Sequence, residues 1–244
     1  MQTDNTASTS QPMPNLNTHL SFGNFDPSNM DMEEVVNTIL LIDTSGSMSD
    51  HIDELNQQFA EIVKSMKDMS QSHKIFCSLG RFDSDIEVLT GFQQVHNVTV
   101  MPVQANGSRT RLYDACLEFI KNAVSQQQRA LNAGILTKTV FGVITDGEDN
   151  ASSVHSAPEI KNILNFINSD EATMNTFTSA LVGIGERQTF EHAKDEMGIK
   201  NLFVFDANLS PKELRNQIKK DFFDGWFSAS VSSASTVPGA LVKF

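Results

Sequence analysis

Three short segments of this 244-residue chain carry oxygen-bearing side chains at positions where they could meet. The segment DTSGS at 43–47 follows an apolar run, Thr110 lies in the polar loop QANGSRT, and Asp146 follows a second apolar run. In an extended turn, residues two apart face the same way, so Asp43, Ser45 and Ser47 can converge on one point. Asp146 and Thr110 would close the ring from the neighbouring strand and loop.

All five of these side chains offer oxygen, and none offers imidazole nitrogen or thiolate sulfur. Such a donor set selects a hard cation, and a compact octahedral site of hydroxyls and waters suits Mg²⁺ better than Ca²⁺. An ion bound directly by few carboxylates keeps much of its positive charge and attracts an external anionic oxygen. We therefore predict a Mg²⁺ site, with Mn²⁺ or Ca²⁺ as alternatives, at Asp43, Ser45, Ser47, Thr110 and Asp146.

Two almost continuous apolar runs would position these residues. Val35–Ile42 (VVNTILLI) and Thr139–Thr145 (TVFGVIT) have the pattern of strands buried on both faces. An amphipathic helix from about Asp50 to Ser70 follows the first run, with apolar residues recurring at three and four positions. In open α/β sheets, ligands bind beyond the carboxyl ends of the strands. Both DTSGS and Asp146 follow directly on such ends.

The remaining sequence alternates strands and helices with short loops, which predicts an α/β fold. The sheet is expected to be doubly wound and mostly parallel, with helices on both faces. A hairpin of Lys74–Phe82 and Ile86–Thr90 predicts one antiparallel edge strand. The other predicted elements are an extended piece at Val98–Val103, strands Phe177–Gly183 and Leu202–Asp206, and helices at Leu112–Val124, from Pro158 to Ser169, at Gln188–Glu196 and from Ser210.

Composition divides the chain into three parts. Residues 1–34 are rich in small polar residues and are interpreted as a flexible arm, with docking of Leu20, Phe22 and Phe25 on the domain as the alternative. Residues 35–227 form the predicted domain. Residues 228–244 are interpreted as a tail whose Ser-rich half is a linker. Its end, VPGALVKF, either adds an edge strand, docks on a neighbour or is disordered.

Charge and composition exclude several classes of function. Thirty acidic residues against 18 Lys and Arg give a net charge of −12, which repels nucleic acid. The amino terminus lacks the pattern of a secretory signal, and no apolar run approaches the roughly 20 residues that cross a bilayer. Cys77 and Cys116 lie in apolar stretches and are predicted to be reduced thiols. We expect a cytoplasmic protein without nucleic-acid or membrane partners.

The segments ILLIDTSGSM, TRLYDA and GVITDGEDN resemble the metal-ion-dependent adhesion site of von Willebrand factor A domains. The resemblance covers about residues 35–224. Within the family, the segments are similar to those of stand-alone bacterial or phage members. It implies that Ser45 and Ser47 bind the metal directly, that Thr110 joins in an open state, and that Asp43 and Asp146 act mainly through water. A Glu or Asp of a protein partner would complete the octahedron. Arg109 departs from the small residue common in the family and could either obstruct that partner or pair with its carboxylate.

The predicted function is therefore a metal-dependent protein-binding module in a cytoplasmic complex, not an enzyme. One alternative is a Mg²⁺-dependent phosphohydrolase with Asp43 as nucleophile, although Ser45 stands where that chemistry needs a second acid. Another is a structural or virion component that assembles with itself.

Other polar candidates have simpler interpretations. Glu148 and Asp149 are expected in a solvated acidic loop, Asp83 and Asp85 in a turn. The six histidines show no metal-binding spacing. The aromatic residues at helical spacing near the carboxyl end are expected in the core: Phe222, Phe223, Trp226 and Phe227.

Overall fold

A computed structural model describes residues 14–23, 25–169 and 176–236, and its six strands form one mixed sheet. The strand order is β3-β2-β1-β4-β5-β6, and every pairing is parallel except that of β2 with the edge strand β3. The predicted doubly wound sheet with one antiparallel edge strand is therefore confirmed. The strands are β1 (Glu34–Asp43), β2 (Ile75–Phe82), β3 (Ile86–Gln94), β4 (Leu136–Thr145), β5 (Phe177–Ile184) and β6 (Asn201–Phe205).

Helices cover both faces of this sheet. The last three helical pieces are consecutive, because a π-helical segment, Ile218–Phe227, joins α5 to α6. The predicted start at Ser210 is confirmed: its side chain accepts from the Glu213 amide, and the Glu213 carboxylate accepts from the Ser210 amide. The helices are α1 (Ile52–Asp68), α2 (Leu112–Asn132), α3 (Ala157–Ser169), α4 (Arg187–Met197), α5 (Pro211–Gln217) and α6 (Ser228–Thr236).

Alternate residues of β1 enter two separate cores. Leu40 packs in the core shared with α1 and the carboxyl-terminal helices, whereas Ile39 and Leu41 pack in the core shared with α2, α3 and α4. This two-sided burial explains why the sequence of β1 is mostly apolar rather than alternating, with Asn37 and Thr38 as buried polar residues. The four aromatic residues expected in the core are buried in the core shared with α1: Phe222, Phe223, Trp226 and Phe227. Cys77 and Cys116 are buried free thiols, as predicted.

The segment before β1 packs on the domain, which differs from the expected flexible arm. Phe22 and Phe25 are buried, and the Phe22 ring meets Phe119 of α2 edge-on at a centroid distance of 4.7 Å. The backbone carbonyl of Phe22 also accepts a hydrogen bond from the Phe92 amide. These contacts fit the alternative in which aromatic residues dock, because they bury large apolar area. Residues 1–13 lie outside the described residues.

The Ser-rich segment after residue 227 also differs from the expected linker, since it forms α6. Val231 and Ala234 are fully buried against the sheet, and the Ala234 carbonyl accepts a hydrogen bond from Lys138 of β4. The segment VPGALVKF lies outside the described residues.

The predicted extended piece Val98–Val103 joins no strand pairing in the described sheet. Its carbonyls instead accept from side chains of α1: Lys67 donates to Val98, and Asn56 donates to Val103.

Among the described residues, no helix combines the length and apolar character needed to span a bilayer.

Candidate metal centre

The carboxyl ends of β1 and β4 bring Asp43 and Asp146 to the same edge of the sheet. The two strands run parallel with Ile42 beside Ile144, so the residues that follow emerge side by side. The Thr145 hydroxyl donates to Asp43 Oδ2 at 2.6 Å, which joins the two strand ends directly. Asp146, one residue further, accepts at Oδ1 from the Ser47 hydroxyl at 2.8 Å.

The turn after β1 folds back on Asp43. The Ser45 amide donates to Asp43 Oδ1 at 2.8 Å, and a 3-10 turn begins at Gly46. This geometry places the Ser45 and Ser47 hydroxyl oxygens 3.1 Å apart. A continuous series of hydrogen bonds thus runs from Asp43 through Ser45 and Ser47 to Asp146.

These separations suit the hard cation that the donor types select. Mg²⁺ binds oxygen at about 2.0–2.1 Å in an octahedron, so neighbouring ligand oxygens lie about 2.8–3.0 Å apart. The Ser45 and Ser47 hydroxyl oxygens, 3.1 Å apart, are close to such an octahedral edge, and Asp146 Oδ1 lies 2.8 Å from Ser47 Oγ, beside the same position. The donor set therefore fits Mg²⁺ without a large rearrangement.

Thr110 reaches the same region from a separate loop. A parallel bridge pairs Ser45 with Gly107, and Gly46 N donates to Gly107 O at 2.7 Å. Thr110 is buried, its amide donates to Asn150 Oδ1, and its Oγ1 would lie 3.9 Å from a Cβ placed on Gly147. The structure therefore places Thr110 against the loop after β4, although no hydrogen bond joins its hydroxyl to the serines.

Asp83 contacts both the turn after β1 and the loop that carries Thr110. Its interpretation as a turn residue describes only part of this role. It does form that turn, because its Oδ1 accepts from the Asp85 amide. Its Oδ2 also accepts from the Thr44 hydroxyl at 2.9 Å and from Arg81 at 3.0 Å. A Cβ on Gly107 would lie only 2.2 Å from Asp83 Cβ, so the loop that carries Thr110 is pressed directly against this carboxylate.

The loop after β4 is fixed to the first turn of α2. Asp149 Oδ1 accepts from the Tyr113 amide, and Ser152 Oγ accepts from the Asp114 amide. Asp149 thus satisfies an amide at the start of a helix, where a carboxylate is favoured. Glu148 is exposed, as expected for a solvated loop. Arg109 is also exposed.

Burial dominates the electrostatics of the candidate metal centre. It raises the pKa of Asp43 to about 6, although hydrogen bonds from Thr145 and Ser45 act in the opposite direction. Burial also raises the pKa of Asp146, opposed by the Ser47 hydrogen bond and by the charge of His51. Two carboxylates whose charged forms are disfavoured would gain from a nearby cation, which favours ionisation.

No protein-family model and no curated protein matches this sequence. Similar solved structures include the ArnB paralog VWA2 from Sulfolobus acidocaldarius, 16% identical with a TM-score of 0.44. The von Willebrand factor type A from Catenulispora acidiphila is 15% identical with a TM-score of 0.44. A D319A mutant of the PilB minor pilin from Streptococcus sanguinis is 11% identical with a TM-score of 0.47.

These alignments cover 75%, 77% and 80% of this chain but only 44%, 42% and 64% of the respective structures. The chain therefore spans less than two thirds of the length of each of the three. Two of them are von Willebrand factor A proteins by name, the family that the sequence motifs resemble.

Proposed function

We propose that this protein is a divalent-metal-dependent binding module that holds a carboxylate of a protein partner. The observation that carries the proposal is the convergence of Asp43, Ser45, Ser47 and Asp146 through one series of hydrogen bonds, with the Ser45 and Ser47 hydroxyl oxygens 3.1 Å apart, close to an octahedral edge. Mg²⁺ fits this donor set, and Mn²⁺ is expected to substitute for it. When bound, the metal would supply a positive charge to which an anionic oxygen of the partner can bind.

The hydrogen bonds of Asp43 support an indirect role for this residue. Its Oδ1 and Oδ2 already accept from the Ser45 amide and the Thr145 hydroxyl. Ser47 is exposed beside it, with a hydroxyl directed at Asp146. We therefore propose Ser45 and Ser47 as direct ligands, with Asp43 and Asp146 acting through water, and Thr110 joining when a partner binds.

The charge of the chain supports a partner that binds through the metal rather than through the surrounding surface. At a net charge of −12, the protein as a whole repels an acidic partner. A local cation is therefore needed to attract a carboxylate, which makes the association metal-dependent. We place this complex in the cytoplasm, a proposal supported by the buried free thiols of Cys77 and Cys116.

The buried position of Asp43 speaks against the phosphohydrolase alternative. A nucleophilic carboxylate must reach the phosphorus atom of its substrate, whereas Asp43 is fully buried and both its oxygens accept hydrogen bonds. Purified protein with Mg²⁺ should hydrolyse neither aryl phosphates nor nucleotides above background. Turnover that disappears in Asp43→Asn would replace the binding function with an enzymatic one.

Calorimetric titration with Mg²⁺ and Mn²⁺ tests the metal centre itself. The wild-type protein should bind one ion, and Ser47→Ala and Asp43→Asn should bind it at least about tenfold more weakly, because each change removes a ligand or its support. Asp50→Asn is the matched control, since this exposed acidic residue lies three positions from Ser47. Equal binding by all four proteins would show that the metal binds elsewhere.

Capture from a lysate of the source organism tests the partner. Immobilised wild-type protein should retain the partner with Mg²⁺ and release it on addition of EDTA. Thr110→Ala should weaken capture by about tenfold or more while leaving the fold intact, because a desolvated metal–carboxylate contact is expected to dominate the interface. Capture that survives both EDTA and Thr110→Ala would assign partner binding to another face.

A further inference from the structure

The side chains of His19, Glu118 and His155 meet on the α2 side of the molecule, where we propose a second metal site of a different class. His19 lies in the segment before β1, Glu118 lies on α2, and His155 lies just before α3. Potential ligand atoms of the three residues lie within 4.8 Å of one another. We infer that this histidine site binds a transition-metal dication of the Zn²⁺ type. None of its residues belongs to the candidate metal centre.

The donor atoms already approach the spacing of a tetrahedral site. Zn²⁺ binds histidine nitrogen and carboxylate oxygen at about 2.0–2.2 Å, so two ligand atoms on one tetrahedron lie about 3.3–3.6 Å apart. His155 Nε2 and Glu118 Oε1 are 3.1 Å apart. The other oxygen of Glu118 accepts from the His19 backbone amide at 2.7 Å, which orients the carboxylate and keeps His19 beside it. His19 is exposed, and a ring nitrogen of it lies within 4.8 Å of the ligand atoms of Glu118 and His155, so it is placed to act as the third ligand.

The surroundings of His155 match those of a metal-binding histidine. Such residues bind the metal through one ring nitrogen and donate the other N–H to a carboxylate or carbonyl group. His155 Nδ1 is buried without a hydrogen bond, and Glu159 Oε1 lies 3.7 Å from it. The backbone amide of His155 donates to Asp114 Oδ1 at 2.7 Å, which fixes the residue in position. Binding of a metal through Nε2 would therefore leave the Nδ1–H group of His155 close to the Glu159 carboxylate.

A cavity of about 250 Å³ opens beside the three residues and offers room for a water molecule in the fourth coordination position. Its charged lining contains three carboxylates, those of Asp85, Asp114 and Glu118, against one guanidinium, that of Arg111. This excess of negative charge attracts a cation. Two imidazole donors distinguish the preferred ion from Mg²⁺, which favours oxygen ligands only.

A metal at this site would fasten the amino-terminal segment to the body of the domain. That segment already packs on α2 through Phe22, with Leu16 and Leu20 partly buried in the same core. Coordination by His19 would add a bond between this segment, α2 and the loop before α3. Zn²⁺ is therefore expected to raise the unfolding temperature of the protein by mass action.

Calorimetry of EDTA-treated, dialysed full-length protein with Zn²⁺ tests this site. Wild-type protein should bind one Zn²⁺ in the presence of millimolar Mg²⁺. His19→Ala should weaken this binding by more than the roughly 10–100-fold that loss of an outer hydrogen-bond partner costs. Because the His19 ring is exposed, this variant should fold normally. Glu118→Gln removes a second ligand and should weaken Zn²⁺ binding in the same way.

Two further variants make the result specific. His192→Ala is the matched control, since His192 is an exposed surface histidine 3.5 Å from Glu196, and it should bind Zn²⁺ like the wild type. Asp43→Asn should also keep Zn²⁺ binding, which separates this site from the candidate metal centre. Co²⁺ should give the visible absorption of a tetrahedral ion in the wild type and not in His19→Ala. Wild-type Zn²⁺ affinity and Co²⁺ absorption in His19→Ala would overturn the proposal.

Discussion

Asp43 combines complete burial with a carboxyl group, and this combination sets the pH dependence of the metal-free protein. Its pKa is raised from an ordinary 3.8 to about 6 by burial, so the folded state favours the protonated form. The stabilisation from this preference is complete below about pH 4 and is lost as pH rises through about 6. A difference of this size corresponds to roughly 3 kcal/mol in total.

We therefore predict that Asp43→Asn changes the slope of stability against pH. In the presence of EDTA, the free energy of unfolding of the wild type should fall relative to the variant by about 2 kcal/mol between about pH 4.5 and pH 7.5. Asparagine keeps the shape of the side chain but does not titrate, so the difference isolates this carboxyl group. Urea titrations at several pH values measure it. Parallel curves for the two proteins would mean that Asp43 titrates normally.

At the scale of residues, the sequence predicts the ligand types better than the residues that hold them. The alternation of Asp43, Ser45 and Ser47 and the placement of Asp146 after an apolar run were sufficient to expect their convergence. Thr145 gave no comparable signal, because its role depends on the parallel register of β1 and β4. His19, Glu118 and His155 were equally hidden, since they are 99 and 37 positions apart and meet only through tertiary packing.

At the scale of elements, the candidate metal centre depends on how closely the Thr110 loop approaches the turns that follow β1 and β2. Gly107 N donates to Thr44 O, Gly46 N donates to Gly107 O, and Asp83 lies against the Cα of Gly107. A side chain at position 107 would therefore meet Asp83 Cβ, an atom next to the backbone that cannot move aside. Close packing of this kind couples the Thr110 loop to the turn after β1.

We predict that Gly107→Ala destabilises the protein by about 1–3 kcal/mol, because overpacking forces the backbone to shift. It should also weaken Mg²⁺ binding, since the shift separates Thr110 and the serines. Gly147→Ala is the matched control: its added Cβ would meet Thr110 Oγ1 at an ordinary 3.9 Å. Urea unfolding and calorimetry compare the two variants. Equal stability and equal Mg²⁺ affinity would show that the loop has room to adjust.

The pattern of the sequence predicts elements where burial is periodic and fails where polar side chains are buried. β1 was expected at Val35–Ile42 and extends from Glu34 to Asp43. Helix α2 continues eight residues beyond the expected end at Val124, to Asn132. The reason is visible at Gln127, which is buried and donates to Thr176 Oγ1 at 2.6 Å. A glutamine-rich stretch gives no hydrophobic signal for such a contact, which depends on a residue 49 positions away.

At the scale of the whole molecule, the carboxyl-terminal helices close the core that they share with α1, and they join the two ends of the domain. Lys138 of β4 is buried, forms an ion pair with Glu34 at 3.1 Å and donates to Ala234 O at 2.8 Å. The first strand, a central strand and the last helix therefore meet at one ammonium group. The composition of α6, largely serine and alanine, did not indicate this role, because its buried face is provided by few apolar residues.

We predict that a chain ending at residue 227 is destabilised by about 3–6 kcal/mol. Removal of α6 exposes the apolar surface that Val231 and Ala234 cover, which accounts for about 1.5–3 kcal/mol. It also takes Ala234 O from the buried ammonium of Lys138, and a hydrogen bond to a charged group contributes about 1.5–3 kcal/mol. A chain ending at residue 236 is the control, since it keeps every one of these contacts. Urea unfolding of both chains measures the difference. If the shorter chain unfolds at the same urea concentration and with the same slope as the longer one, the domain ends at residue 227 and α6 is an appendage.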